Sequence, residues 1–150
     1  MDIRRCNTSD TEEVTRIARD FLDYSPFCGL SEVSADAVQS LLAQQGAVVF
    51  WIAEEDAVTL GLCAAVVFPL WYADGALVTQ ELFWWVEPGA RTSKCGKRLL
   101  SAMEDWSKDL GAKGHFMACL ENAQTDRIKA LYNRAGYKPV ERTFFKRGEE

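Results

Sequence analysis

The stretch ARTSKCGKRLL, residues 90–100, gathers Arg91, Lys94, Lys97 and Arg98 around one glycine, Gly96. It lies between the apolar run ALVTQELFWWV (76–86) and a segment with Leu99, Met103, Trp106 and Leu110 at helical spacing. A helix N-terminus is already the positive end of its dipole, so each exposed cation there costs roughly a few tenths of a kcal/mol. A small anion reverses that sign, because it takes up both the unpaired first-turn N–H groups and the cationic side chains. Spacing excludes two familiar phosphate loops. Gly89 and Gly96 are too far apart for a Walker A motif, Arg98 stands where that motif needs Ser or Thr, and no G-x-G-x-x-G occurs. The residues alone leave two readings open, an anion site or a solvated helix start.

Other reactive side chains are few. His115 is the only histidine, and it opens the apolar segment HFMACLE (115–121), whose far end carries Glu121. A second carboxylate, Glu81, interrupts the run before the basic loop, and Tyr132 falls on the apolar face of a later helical segment. The five cysteines contain no C-x-x-C pair, which excludes the usual zinc and dithiol spacings and fits a reducing compartment. Cys95 stands among basic neighbours but has no histidine partner in view, so it reads as an incidental thiol.

The elements that would position these groups can be read from periodicity. Asp2 to Cys6 form a first strand, NTSD caps a helix bearing Val14, Ile17, Ala18 and Phe21, and 24–33 is a loop before a short helix over 35–46. Residues 47–55 and 57–70 read as an antiparallel hairpin turning at Glu55-Asp56, with 76–86 as the next strand. A long helix starts at Ser93 or Lys94 and ends before Gly111, and 115–121 is a buried strand. A helix from Thr125, with Ile128, Leu131, Tyr132 and Ala135 on one face, stops at Gly136, and 140–147 is a last strand. This βααβββαβαβ order, without repeat or linker, predicts one α/β (α+β) domain over 1–150, with a mixed sheet covered by helices on both faces.

A net charge of −5 argues against a general nucleic-acid or acidic-membrane binder, so the cationic patch is local. The start MDIRRC carries no signal-type apolar region, and the longest apolar stretch, 60–73, is short for a span and contains Gly61 and Pro69. A soluble, cytoplasmic protein is expected.

Three motifs resemble the GNAT superfamily of N-acetyltransferases. Arg91-Thr92-Ser93-Lys94-Cys95-Gly96, continued by Leu99-Leu100, is similar to its pyrophosphate loop, Arg/Gln-x-x-Gly-x-Gly/Ala, with Lys94 replacing the first glycine. ELFWWVEPGAR (81–91) resembles its fourth strand, and ALYNRAGYKPV (130–140) its A-x-x-Phe/Leu-Tyr-x-x-x-Gly-Phe/Tyr signature. The resemblance implies a twisted, mostly antiparallel mixed sheet of about six or seven strands flanked by about four helices, with strands four and five splayed.

It also implies acetyl-CoA as cosubstrate, no metal, and direct attack of a primary amine in a ternary complex. The coenzyme would meet Arg91, Thr92, Ser93, Lys94, Cys95, Gly96 and Lys97 at the loop, backbone groups of Trp84, Trp85 and Val86 on strand four, and Thr125 where the family commonly has Asn. Tyr132 matches the tyrosine that protonates the departing thiolate. Glu121 is the first candidate for the base, and Glu81 is its rival. Glu81 stands about one position from the strand carboxylate of other members, and one residue in a strand reverses the face. The acceptor partner would be an amine on a small molecule, peptide or protein, with no nucleic acid or membrane involved, and a homodimer is compatible with the family. The alternative is a non-catalytic acyl-CoA-binding or protein-interaction member of the same fold, suggested by Lys94 and the offset carboxylates.

Overall fold

The computed structural model describes residues 1–148. Its first strand, β1 (Asp2–Arg5), is followed by Asn7, whose side chain accepts the Ser9 N–H while Asp10 accepts the Asn7 N–H. This reciprocal cap opens a short 3-10 turn that runs into α1 (Thr11–Tyr24). Arg4 clamps Asp10 through two bonds of 2.8 and 2.9 Å, joining the strand to the helix start. Ser34 caps α2 (Ala35–Ala43) by accepting from Ala37 N–H.

The expected hairpin is present as β2 (Val48–Glu55) and β3 (Val58–Pro69). Its two-residue turn puts Asp56 at φ 50° and Ala57 at φ 61°, the left-handed pair that matches strand twist. An alanine Cβ is strained there, so Ala57→Gly is expected to raise stability by up to about 1 kcal/mol, read as a denaturant midpoint shift at constant slope.

β4 (Leu77–Val86), α3 (Cys95–Asp109), β5 (His115–Phe116) and α4 (Thr125–Arg134) complete the chain. The sheet order is β1-β2-β3-β4-β5, antiparallel except for the parallel β4–β5 pair. Two cores lie against it. Val14, Ile17, Val38 and Leu42 of α1 and α2 bury Phe50, Ile52, Leu62, Phe83 and Trp85 on one face. Leu99, Met103 and Trp106 of α3 cover Val49, Trp51, Cys63 and Ala65 on the other, with Leu131 of α4 and Tyr137 packed beside them.

Four expectations are corrected. The sheet has five strands, fewer than six or seven, and α3 begins at Cys95 rather than at Ser93 or Lys94. Only His115 and Phe116 of 115–121 pair with β4. Residues 140–147 form no strand, and Val140, Phe144 and Phe145 are exposed there. Alternation is a local signal, whereas a strand needs a partner edge, and β5 offers only two residues of edge. The tail instead turns to the loop after α1, where Phe145 meets Phe27 at 5.5 Å and Arg147 donates to the Cys28 carbonyl. Among the described residues, no helix is long and apolar enough to cross a membrane.

Candidate active site

Parallel pairing of β4 and β5 is limited to Thr79 with His115 and Gln80 with Phe116. Beyond Gln80 the strands part, leaving one edge of β4 from Glu81 to Val86 free of a neighbouring strand. Glu87 N–H donates to Leu60 O on β3 at 2.9 Å, and the register pairs Trp85 with Leu62. By antiparallel alternation, Phe83 and Trp85 spend their backbone groups on β3, while Trp84 and Val86 turn theirs toward the opening. Trp85, expected to offer a backbone donor to the coenzyme, is therefore corrected: in this register its N–H faces β3.

A bulge decides which side chains face which layer. Ala64 pairs with Phe83 and Ala65 with Glu81, so Leu82 is an extra residue that shifts the alternation by one. Phe83 consequently packs against Phe21 of α1, at 5.4 Å between ring centroids. Glu81, opposite Ala65, joins Thr79, Trp84 and Val86 on the face covered by α3 and α4.

Glu81 and Tyr132 converge on one peptide. Glu81 Oε2 accepts the Ala118 N–H at 3.0 Å, and the Tyr132 hydroxyl donates to the Ala118 carbonyl at 2.6 Å. Both side chains are buried. Burial pushes the Glu81 carboxyl up to about 7, against the smaller opposing pull of the Ala118 N–H. Burial likewise raises Tyr132, helped by the nearby Glu81 charge, so its phenol keeps its proton at neutral pH. Glu121 is exposed and lies five residues beyond the end of β5, so the strand expected to carry it has already ended.

The loop ahead of α3 is held from within. Ser93 Oγ donates to Ala90 O at 2.6 Å and accepts the Cys95 N–H at 3.1 Å. The first helical bond runs from Arg98 N–H to Lys94 O. The N–H groups of Gly96 and Lys97 then have no backbone acceptor among the described residues and remain for an anion. Lys94 and Lys97 are exposed beside them, as are Thr92 and Ser93.

Arg91 departs from its expected outward role. Its Nε donates to Val86 O at 3.1 Å, and its guanidinium lies 4.8 Å from the Trp85 ring centroid and 5.4 Å from that of Tyr24. Its guanidinium ties the end of β4 to α1. Arg98 also points elsewhere, to the Met1 carbonyl. Thr125 is buried, and its hydroxyl is committed to Leu120 O and the Asn122 N–H at 2.8 Å each, which fixes the turn before α4. The Cys95 thiol is buried and pushed up to about 11 by that burial.

Two glycines let these parts approach. A Cβ on Gly61 would stand 2.7 Å from Trp85 O and 3.0 Å from Cys95 Sγ, so its absence allows α3 to start close against the sheet. A Cβ on Gly96 would meet Trp84 Cζ2 at 3.1 Å. The indole beneath it makes Gly96→Ala costly here. The variant is expected to weaken anion binding at this turn severalfold, measured by calorimetry with inorganic pyrophosphate.

Several contributors carried no sequence signal. Ala118 acts only through its backbone. Arg127 donates to Arg91 O at 3.2 Å, which brings a cation from α4 to the loop. One rung before the last β4–β5 pair, Thr79 Oγ1 stands 2.6 Å from Ser107 Oγ and 2.7 Å from His115 Nδ1. Burial pushes His115 down to about 4, so it is neutral at pH 7, and its ring nitrogens meet Thr79 Oγ1 and Met117 Sδ at this junction.

A family model described as an acetyltransferase (GNAT) domain matches residues 46–139, more than half of the chain. A search of curated protein sequences finds no match. Among solved structures, a ribosomal-protein-alanine N-acetyltransferase from Brucella melitensis biovar Abortus 2308 superposes with TM-score 0.77 at 16% identity, covering 98% of each chain. AAC(6')-Iy bound to the bisubstrate analogue CoA-S-monomethyl-acetylneamine gives 0.77 at 20% identity, over 99% of this chain and 97% of that one. An aminoglycoside acetyltransferase from an uncultured soil metagenomic sample gives 0.80 at 15%, over 99% and 98%. At these identities the superpositions establish a shared fold. With the strands parting after Gln80, the anion-ready loop before α3 and the family model spanning both, the chain belongs to the GNAT acetyltransferase family.

Proposed function

We propose that this chain is an acetyl-CoA-dependent N-acetyltransferase that acts by direct attack of a primary amine on the thioester within a ternary complex. The observation that carries the reading is the meeting of Glu81 and Tyr132 on the Ala118 peptide, at the mouth of the split between β4 and β5. The free amides of Gly96 and Lys97, with Lys94, Lys97 and Arg127 around them, suit the coenzyme's pyrophosphate. The outward groups of Trp84 and Val86 suit the pantetheine arm and the thioester oxygen.

Amines are mostly protonated at neutral pH, so a base must take a proton as the C–N bond forms. Glu81 fills that role, directly or through one water, with a pKa close to the working pH. As the C–S bond breaks, the Tyr132 hydroxyl leaves the Ala118 carbonyl and gives its proton to the sulfur. An ammonium acceptor first releases one proton to solvent; Glu81 takes the second as the C–N bond forms and passes it to the phenolate that Tyr132 becomes on protonating the sulfur, so both side chains are restored and one proton is released overall. Glu121, exposed beyond β5, becomes the weaker choice of base and is better suited to attracting a cationic acceptor.

The proposed acceptor is an amine on a small molecule, peptide or protein, with cationic amines favoured by the net charge of −5. The proposed setting is the cytoplasm. Incubation with acetyl-CoA and an amine panel, followed by mass spectrometry, should show a product heavier by one acetyl group. A non-catalytic acyl-CoA-binding role is the second reading, favoured by Glu81 and Tyr132 both being satisfied by Ala118. Coenzyme A would then stabilise the protein against heat while no amine in the panel is acetylated.

A further inference from the structure

Trp84 presents an anomaly that the packing of the core does not require. Its indole Nε1 is shut off from solvent and has no hydrogen-bond partner among the described residues. The neighbouring Trp85 Nε1, by contrast, reaches Glu87 Oε2 at 3.4 Å. A buried donor left unpaired costs about 1–3 kcal/mol, so a native position that keeps one calls for a reason.

The surroundings supply one. Trp84 stacks on Tyr132, with ring centroids 6.0 Å apart and planes inclined at 26°. The ring carbon bonded to Nε1, Cε2, would stand 3.7 Å from a Cβ on Gly96, so the donor edge lies under the first turn of α3. That turn already offers the Gly96 and Lys97 amides. The indole is therefore wedged between the anion-ready turn and the tyrosine assigned to the sulfur, the two points that the proposed phosphopantetheine arm would join.

We infer that the Trp84 side chain is a coenzyme-binding group, whose indole N–H donates to an acceptor oxygen of the phosphopantetheine arm as that arm seats between α3 and α4. This rests on the coenzyme A reading of the site and adds a side-chain contact to it. It also explains the demand for glycine at position 96, since a methyl group there would push the indole away from the turn. The donor has no partner among the described residues, and coenzyme binding would supply one.

The experiment uses the five indole N–H resonances of the 15N-labelled chain, with that of Trp84 identified by its loss in Trp84→Phe. On titration with coenzyme A, the Trp84 resonance is expected to move downfield and its hydrogen exchange to slow. Trp84→Phe should weaken coenzyme A binding about tenfold or more by calorimetry, the loss typical of one hydrogen bond to a polar or charged ligand group. Comparison with 3′-phosphoadenosine 5′-diphosphate, which has the pyrophosphate but no pantetheine, locates the acceptor. A loss for both ligands assigns it to phosphate, and a loss for coenzyme A alone assigns it to pantetheine. Calorimetric binding with an unmoved Trp84 resonance overturns the Trp84 contact and leaves the site reading intact. No calorimetric binding by the unaltered chain overturns both.

Discussion

Glu81→Gln is expected to lower kcat for acetyl transfer by about two to four orders of magnitude, the usual contribution of a positioned general base. KM for acetyl-CoA should change little, because the carboxylate bonds to the Ala118 peptide and not to the loop before α3. The pH profile distinguishes a base from a structural carboxylate. In the unaltered chain the rate should rise with pH to a plateau above about 7, where burial has placed the Glu81 titration, and this limb should be absent from the variant. A variant that keeps the full rate and the same limb would remove Glu81 from the chemistry.

The same substitution carries a stability signature of opposite sense. A carboxyl whose folded pKa lies above its ordinary 4.5 binds more protons in the native than in the unfolded chain between 4.5 and about 7. Stability is therefore lost as pH rises through that window, by up to about 3 kcal/mol once both states are ionised. His115 acts in the other direction. Held down near 4 by burial, it charges first in the unfolded chain, so its contribution is lost as pH falls below its ordinary 6.5. The two slopes largely offset each other between pH 4.5 and 6.5. Glu81→Gln keeps an acceptor for Ala118 N–H and removes one slope. Its denaturation midpoint should exceed that of the unaltered chain at pH 8 and fall more steeply toward pH 5.

Tyr132→Phe should lower kcat by about two orders of magnitude or more while calorimetric affinity for coenzyme A stays within about twofold. The phenol is a proton donor placed beside Glu81 at the split, and burial keeps it protonated across the working pH range. Phenylalanine retains the ring that stacks on Trp84. It leaves the Ala118 carbonyl without its donor, which should cost about 1 kcal/mol of stability. Unchanged turnover would sink the acid role. Affinity and turnover falling together would mean that the tyrosine holds the pocket and does not serve the sulfur.

Much of this protein was legible in its residues. The NTSD cap, the hairpin around Asp56, the helix carrying Tyr132 and the loop-to-helix junction at Gly96 all rest on interactions within a few residues of each other. Such local signals survive in a sequence because the residues that satisfy one another are neighbours. The motifs at 81–91, 91–100 and 130–140 were enough to indicate the family that the model over 46–139 then established.

What escaped was decided by pairings between distant segments. Tertiary register alone could place the bulge at Leu82, and that single extra residue turned Glu81 from the α1 side to the face shared with Tyr132. Aromatic partners from α1 and β4 hold the Arg91 guanidinium against the end of β4, a contact the motif did not suggest. The alternation at 140–147 met no partner edge and formed no strand. By itself the sequence determined which elements form and where an anion could be held, because caps, turns and helix faces are local. Which carboxylate stands beside the tyrosine was left to the tertiary structure, because the face a strand residue occupies depends on its register with a neighbour far away in the chain.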